Sequence, residues 1–247
     1  MKPPSEGYDT EMASAHAVPR GLPVYSAEAS IKAGFIRKVY GILAVQLSFT
    51  VLTGCLFMLN ASVRQTVLAN PGMMTFASIA PLPFVFALFC NKDKYPLNMW
   101  LLAGFTAAMS YTVGVICAAY YESGYGMVVL QALILTGSLF ASLSTYVHVT
   151  KKDFSFLGAG LFACLWILII WGLLNSFLDF GLGGRMVFSL GGALVFVGYI
   201  LYDTSLLVHH FGPDDYIIAT VTLYLDIVNL FLYLLELLRF LQGGSSD

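Results

Sequence analysis

Long apolar runs alternate with short polar segments along most of the 247-residue chain. A run of roughly 18 or more apolar residues lets a helix cross the ~30 Å hydrocarbon core of a bilayer. Seven such runs are present, at residues 39–59, 73–90, 97–120, 127–147, 155–174, 187–208 and 217–235. We therefore predict an all-α, polytopic membrane protein with seven transmembrane helices and direct contact with the lipid bilayer.

The ends of the chain follow a different pattern. Residues 1–38 are rich in Pro, Ser, Ala and Glu, as is typical of a flexible tail, and they lack the apolar stretch of a cleavable signal peptide. The predicted organisation is a flexible cytosolic tail over 1–38, a transmembrane domain over 39–240 and a short polar tail over 241–247. Within the second run, Pro81 and Pro83 are expected to bend or break the helix.

Composition supports the membrane assignment. Charged residues make up 11% of the chain and hydrophobic residues 58%, whereas a soluble domain carries about 25% charge. A net charge of −2 without a long basic run excludes a nucleic-acid-binding surface. Four cysteines without regular spacing indicate neither a disulfide framework nor a zinc site.

Lysine and arginine are concentrated on one side of the predicted bundle. The tail and the even-numbered loops hold Lys2, Arg20, Lys32, Arg37, Lys38, Lys92, Lys94, Lys151 and Lys152, against two or three basic residues on the other side. Because basic loops stay in the cytosol, we expect a cytosolic N-terminus. The charge count leaves open whether the last segment crosses fully or is re-entrant, and we expect a crossing.

Two charged residues lie inside the apolar runs, Asp203 in the sixth and Asp226 in the seventh. A charge at the bilayer centre costs about 2.5–3.5 kcal/mol, so both side chains should face the bundle interior. Asp203 lies about 7–8 Å and Asp226 about 13–14 Å from the cytosolic ends of their runs. Side chains lean toward the N-terminus of their own helix, so the two carboxyl groups lie closer in depth than their Cα atoms do. We therefore expect the two carboxyl groups to meet.

Polar residues at helical spacing accompany the aspartates. Tyr199 lies four residues before Asp203, and the seventh run carries Thr222, Asn229 and Tyr233 on the face of Asp226. Similar stripes occur in the first run, at Gln46, Thr50 and Thr53, and in the fourth, at Gln131, Ser138, Ser142 and Thr145. We predict that these helices turn their polar stripes toward the interior.

A pair of carboxyl groups in a low-dielectric site indicates a specific chemistry. Both cannot ionise at small cost, so they are expected to share a proton and to titrate together. The protonated pair would be hydrogen-bonded and close the interior, whereas the ionised pair would separate and offer oxygens to Ca²⁺. The hypothesis is a pH-sensitive cation path with Asp203 and Asp226 as gate and transient Ca²⁺ ligands. The alternative is two structural polar groups satisfied by neighbouring hydroxyls and amides.

Several segments resemble the Bax inhibitor/lifeguard family of membrane proteins, closest to its lifeguard branch. They are FIRKVYGILAVQL at 35–47, KKDFSFL at 151–157, GYILYDT at 198–204, DDY at 214–216 and LYLDIVNLF at 223–231. The resemblance implies a seven-helix bundle with the last helix central, in which Asp203 and Asp226 form a pH-responsive dyad gating a calcium leak. It also implies residence in the endoplasmic reticulum or Golgi, an inhibitory influence on cell death, and membrane-protein partners in cell-death control.

The chain departs from the family pattern at three positions. Lys92 stands where a bacterial relative's pattern has an arginine that binds the aspartate pair and so acts as a latch. Lysine carries a single ammonium group and cannot form the two parallel hydrogen bonds of a guanidinium. Gln131 replaces a carboxylate, and Glu236 stands where relatives often have arginine. Lys92 is therefore a candidate latch only.

Three other functions compete with a calcium leak. An intramembrane aspartyl protease needs a flexible Gly-x-Gly before its second aspartate, whereas Asp226 follows Leu-Tyr-Leu, so we expect no enzyme. A scaffold that binds other membrane proteins without conducting ions stays open as an alternative. A proton-coupled transporter also stays open, although the chain has no obvious inverted repeat. Under the leak hypothesis Ca²⁺ is the permeant ion, and no cofactor is expected.

Overall fold

The computed structural model describes residues 24–178 and 181–243. Within these ranges the chain forms nine α-helices and two short 3₁₀ turns, Ser155–Leu157 and Pro213–Asp215, and no strand. The helices are α1 (Val24–Leu59), α2 (Ala61–Leu68), α3 (Pro71–Ile79), α4 (Pro81–Cys90), α5 (Leu97–Glu122), α6 (Gly126–Thr150), α7 (Gly158–Phe177), α8 (Gly181–His209) and α9 (Tyr216–Gly243).

Six of the described helices, α1 and α5 to α9, are long and apolar enough to cross a membrane. The shortest of them, α7, has 20 residues and is therefore about 30 Å long. α9 has 28 residues without a break, so its length suffices for a full crossing. The chain is thus an all-helical membrane protein in contact with lipid, as the apolar runs predict.

The second predicted span is not a continuous helix. It is divided into α3, of 9 residues, and α4, of 10 residues, and neither can cross the hydrocarbon core alone. The break falls at Pro81, whose ring removes a backbone donor and clashes with the preceding turn. The predicted break is confirmed, and six of the seven predicted spans are single long helices in the described residues.

The first helix begins well before the first apolar run. α1 starts at Val24, so residues 24–38 of the predicted tail are helical, while residues 1–23 lie outside the described ranges. Two lysines of this extension contact the segment before α9 and the first residue of α9. Lys32 Nζ donates a 2.7 Å hydrogen bond to the carbonyl of Phe211, and the Lys38 ammonium lies 3.2 Å from the ring centroid of Tyr216.

The last helix is the most buried of the six long helices. Two thirds of its most apolar stretch is buried, and it packs against α1, α5, α6 and α8. Leu223, Tyr224 and Leu230 have no exposed surface, because neighbouring helices surround them. The side chains that α9 presents therefore decide what the interior of the bundle contains.

The two ends of the bundle differ in chemistry. One end, the basic end, holds Lys92, Lys151 and His210 and the turn between α8 and α9. At the other end, the Arg64 end, Arg64 Nε donates to Glu122 at 2.6 Å.

Candidate functional site

Asp203 of α8 and Asp226 of α9 lie together in the interior. Asp203 is 7% exposed and Asp226 5% exposed, and their carboxyl groups lie next to each other. The hydroxyl of Thr222, one helical turn before Asp226, also contacts Asp203. The structure therefore brings together the two residues that the sequence places at neighbouring depths.

The surroundings of the pair provide no counter-charge. In the described part of the chain neither carboxyl takes part in an ion pair, and no donor reaches Asp226 Oδ2. Two ionised carboxylates in contact repel strongly in a low-dielectric site, whereas one shared proton turns the repulsion into a hydrogen bond. A proton on either carboxyl group would make it a hydrogen-bond donor to the other.

The pair does not form a complete cation site. The described residues contain no group of three or more His, Cys, Asp or Glu side chains that could hold a metal ion. Two carboxyls and the Thr222 hydroxyl fall short of the six to eight oxygens that Ca²⁺ prefers. The arrangement can contact a passing cation, but it lacks the ligands of a resident one.

The four residues expected to support the pair differ in what they contact. The Thr222 hydroxyl lies near Asp203 and donates to the carbonyl of Ala219 (3.4 Å). The ring of Tyr199, within electrostatic range of both carboxyls, is 5.7 Å from that of Phe196. The amide of Asn229 instead donates to its own helix, at the carbonyl of Leu225 (2.8 Å).

Tyr233, the fourth expected supporter, belongs to an aromatic cluster. Its ring stacks on Phe196 at 5.7 Å and meets Phe188 edge-on at 5.6 Å. The ring also covers Gly192, where a Cβ atom would lie 2.3 Å from Tyr233 Cε1. Tyr233 therefore sets the packing between α8 and α9.

Lys92 lies at the basic end, after α4. Its Nζ is 3.7 Å from Asp215 Oδ1, and both side chains are more than a third exposed. An exposed pair of this kind contributes at most about 1 kcal/mol. Among the described residues Lys92 forms no ion pair with Asp203 or Asp226, so this structure holds no latch between them.

A second polar network lies beside the pair and was only partly anticipated. The Tyr224 hydroxyl, two residues before Asp226, is 2.8 Å from Thr50 Oγ1, which is 2.9 Å from Ser110 Oγ. Gln46 Nε2 donates to Thr106 Oγ1 at 2.7 Å. Gln46 and Thr50 therefore face inward as predicted, whereas Thr53 is half-buried and donates to the carbonyl of Phe49 in its own helix (2.9 Å). Tyr224 was missed because a tyrosine in an apolar run gives no polar signal in the sequence.

The predicted stripe of the fourth run is wrong. Gln131, Ser138, Ser142 and Thr145 are exposed, and α6 buries the opposite face with Ala132, Thr136, Ser144 and Val147. The serine hydroxyls donate to carbonyls of their own helix, Ser138 to Ile134 and Ser142 to Ser138, both at 2.7 Å. A helix can satisfy small hydroxyls by itself, so their spacing does not require a polar interior.

The loop between α6 and α7 is fastened to the end of α8 at the basic end. Asp153 accepts hydrogen bonds from the backbone of Ser155 (2.8 Å) and the hydroxyl of Ser205 (3.2 Å), and its Oδ2 lies 3.0 Å from His210 Nε2. These contacts, chiefly those with Ser155, hold the pKa of Asp153 well below its ordinary value. Ser205 is only two residues beyond Asp203, so the loop and the carboxyl pair share one stretch of α8.

Comparison with known proteins places the whole bundle in one family. The model of the family described as "Inhibitor of apoptosis-promoting Bax1" matches residues 32–243. The chain is 43% identical over 219 residues to the "Golgi anti-apoptotic protein" of vaccinia virus strain Lister, covering 89% of this chain and 90% of that protein.

Two cellular relatives give the same result. The chain is 39% identical over 219 residues to mouse "Protein lifeguard 4", covering 89% of this chain and 90% of that protein. It is 34% identical over 225 residues to "Bax inhibitor 1" of Schizosaccharomyces pombe, covering 91% of this chain and 83% of that protein. The family model and these relatives cover nearly all of the described helices, and the chain belongs to the Bax inhibitor/lifeguard family.

Proposed function

We propose that this protein is a slow, pH-sensitive calcium leak channel of internal membranes, gated by Asp203 and Asp226. The observation that carries the proposal is the direct contact of two buried carboxyl groups without a basic partner in the described interior. Such a pair changes between an attractive and a repulsive state when a single proton is lost. That change can separate α8 from α9.

The proposed gate works through the carboxyl pair alone. With a shared proton, the hydrogen bond between Asp203 and Asp226 holds the two helices together and closes the interior. When the proton leaves, two negative charges repel each other and attract a divalent cation. The small number of ligand oxygens makes the cation's stay brief, as a permeant ion requires. Acidification therefore closes the path and alkalinisation opens it.

The proposed topology has seven crossings with α9 at the centre. In it, α3 and α4 together form the second crossing, broken at Pro81, and the basic end faces the cytosol. The support is the excess of lysine and arginine at that end and the burial of α9. Residues 1–38 and 241–247 then form the cytosolic and lumenal tails, and the helical part of the first tail extends α1.

The proposed cellular role follows from the relatives. A protein named for the Golgi and for opposing apoptosis is 43% identical to this chain over 219 residues. We place the chain in the Golgi or endoplasmic reticulum, where a slow calcium leak lowers the amount of Ca²⁺ available for a death signal. Membrane proteins that control cell death are its expected partners, and no catalytic step is involved.

The test is Ca²⁺ flux into proteoliposomes loaded with a calcium dye, measured between about pH 5 and 8 for the wild type, Asp203→Asn and Asp226→Asn. Both variants remove the charge repulsion, so the flux should lose its pH dependence. Asp93→Asn removes an exposed loop charge and serves as the matched control, with wild-type behaviour expected. A pH profile unchanged in both dyad variants rejects the gate.

Two other outcomes identify the alternatives. Absence of flux in every variant, with the protein correctly inserted, favours a scaffold that binds other membrane proteins. Flux of Ca²⁺ that requires a proton gradient across the vesicle favours a proton-coupled transporter.

A further inference from the structure

A cavity of about 170 Å³ lies between α1 and α6, and neither Asp203 nor Asp226 lines it. The walls come from α1 and α6, and α5 and α9 form the floor with Val113, Cys117, Val228 and Phe231. The lining is almost wholly apolar, and Thr50 and Thr136 are its only hydroxyl-bearing residues. An engineered apolar cavity of about 150 Å³ in another protein stays dry and binds benzene, so this cavity holds a comparable piece of hydrocarbon.

The cavity is open toward the surrounding membrane. α1 packs on α5 and α9, and α6 packs on α8 and α9, but α1 and α6 are not packed extensively against each other. Tyr40 links them near the basic end, with its ring 6.3 Å from that of Phe140 and 5.7 Å from that of His148. Beyond this link, lining residues of both helices are exposed, including Val51 of α1 and Leu133 of α6, each 37% exposed.

Two glycines keep the opening wide. Gly54 of α1 and Gly137 of α6 both line the cavity, and a Cβ atom added at either would meet nothing within 4 Å. Some other helical glycines are instead covered by a neighbouring ring, such as Gly192 by Tyr233 and Gly114 by Phe57. The absent side chains of Gly54 and Gly137 thus leave space and do not serve close helix packing.

The length of the opening corresponds to one half of a bilayer. On α1 the lining runs from Leu47 to Met58, which is about 16 Å along the helix axis. Half of a ~30 Å hydrocarbon core is about 15 Å. The opening lies in the half of the bundle toward the Arg64 end, because α1 ends near Arg64, which donates to the carbonyl of Met58.

We propose that this opening, the α1–α6 cleft, binds the acyl chain of a membrane phospholipid from the leaflet at the Arg64 end. The cleft is apolar, open to the side, as long as one leaflet is thick, and surrounded by residues that face lipid. A chain in the cleft covers Val228, two residues beyond Asp226, and Thr50, which is bonded to Tyr224. The occupant therefore separates the buried polar network from the membrane.

The test uses phosphatidylcholine with a diazirine at the end of one acyl chain, in vesicles that contain the full-length protein. After illumination, adducts are located by mass spectrometry. Val228 is 3% exposed and Leu52 69% exposed, so lipid around the protein labels Leu52 but reaches Val228 only through the cleft. We expect adducts at both positions in the wild type. Absence of adducts at Val228 and the other floor residues rejects the proposal without any variant.

Filling the cleft should remove the floor adducts selectively. Gly54→Leu and Gly137→Leu, singly and combined, place side chains in the open space, and loss of labelling at Val228 with undiminished labelling at Leu52 is expected. Gly160→Leu is the matched control, because a Cβ there also meets nothing within 4 Å and Gly160 does not line the cleft. Undiminished floor labelling in the combined variant, shown to be folded by its thermal unfolding, contradicts an acyl chain in the cleft.

Other occupants have distinct signatures. Floor labelling by a diazirine-bearing sterol that phosphatidylcholine does not displace overturns the proposal in favour of a sterol site. Dimers that a bifunctional, membrane-permeant cross-linker joins through floor residues overturn it in favour of a second copy of the chain. Calcium flux is not part of this readout, so the lipid site and the leak are tested independently.

Discussion

The contact between Gly192 and Tyr233 gives a sharp test of how α8 and α9 pack. In Gly192→Ala the new Cβ would lie 2.3 Å from Tyr233 Cε1, against the 3.5–4.0 Å of an ordinary carbon contact. The Tyr233 ring has little room to retreat, because it is stacked on Phe196 and meets Phe188 edge-on. Forcing an extra carbon into a filled interior costs about 1–3 kcal/mol.

The adjacent Gly191 is the matched control. A Cβ at Gly191 meets nothing within 4 Å, and alanine gains about 0.8–1.0 kcal/mol over glycine in a helix at either position. That gain cancels when the two variants are compared, so Gly192→Ala should be less stable than Gly191→Ala by about 1–3 kcal/mol. The free energy of unfolding is measured by titrating detergent micelles that contain the protein with sodium dodecyl sulfate.

A change of Tyr233 completes the test. In a Tyr233→Leu background the obstructing ring is absent, so the cost of Gly192→Ala should fall toward that of Gly191→Ala. Equal stability of the two alanine variants in the otherwise wild-type protein would falsify the packing argument. An equal cost of Gly192→Ala with and without the Tyr233 ring would do the same.

Two further predictions concern the polar contacts. Thr50→Val and Tyr224→Phe each remove one hydroxyl of a pair whose oxygens are 2.8 Å apart. A double-mutant cycle of the free energy of unfolding should give a coupling energy of about 0.6 kcal/mol. Additive effects of the two substitutions would contradict a direct hydrogen bond. Because the pKa of Asp153 is lowered in the folded protein, its carboxylate stabilises the fold at any pH above about 3.9, the ordinary carboxyl pKa. This stabilisation decreases as the pH falls below that value. The melting temperature of the wild type should therefore exceed that of Asp153→Asn by a constant amount from about pH 7 to 5, and the excess should shrink below about pH 4; a difference that does not change with pH would refute the charge argument.

Some features of the fold and site follow directly from the sequence. Apolar length alone identifies the six long helices, and Pro81 in the second run indicates the break between α3 and α4. The depths of Asp203 and Asp226 in their runs, with the lean of side chains along a helix, place the two carboxyls near one another. These inferences succeed because each needs only the position of a residue along its own helix and the thickness of the bilayer.

The sequence does not predict whether a polar side chain forms its hydrogen bond with its own helix or with a neighbouring helix. Ser138 and Asn229 both have polar side chains at positions that suggest an inward stripe, yet each is bonded to a carbonyl of its own helix. Tyr224 is part of an apolar run, but its hydroxyl joins three helices. Polar spacing does not reveal whether the partner is the helix itself or a neighbour, because that choice depends on the rotation of the helix in the bundle.

The burial of α9 has a consequence for the biosynthesis of the protein. The chain is made from its N-terminus, so α1, α5, α6 and α8 emerge from the ribosome before the helix that they surround. Until α9 enters, Asp203 lacks the carboxyl that it contacts, and Thr50 lacks the hydroxyl of Tyr224. A chain stopped before Tyr216 thus leaves the Asp203 carboxyl without its partner inside the membrane, a feature by which a cell can distinguish unfinished copies from complete ones.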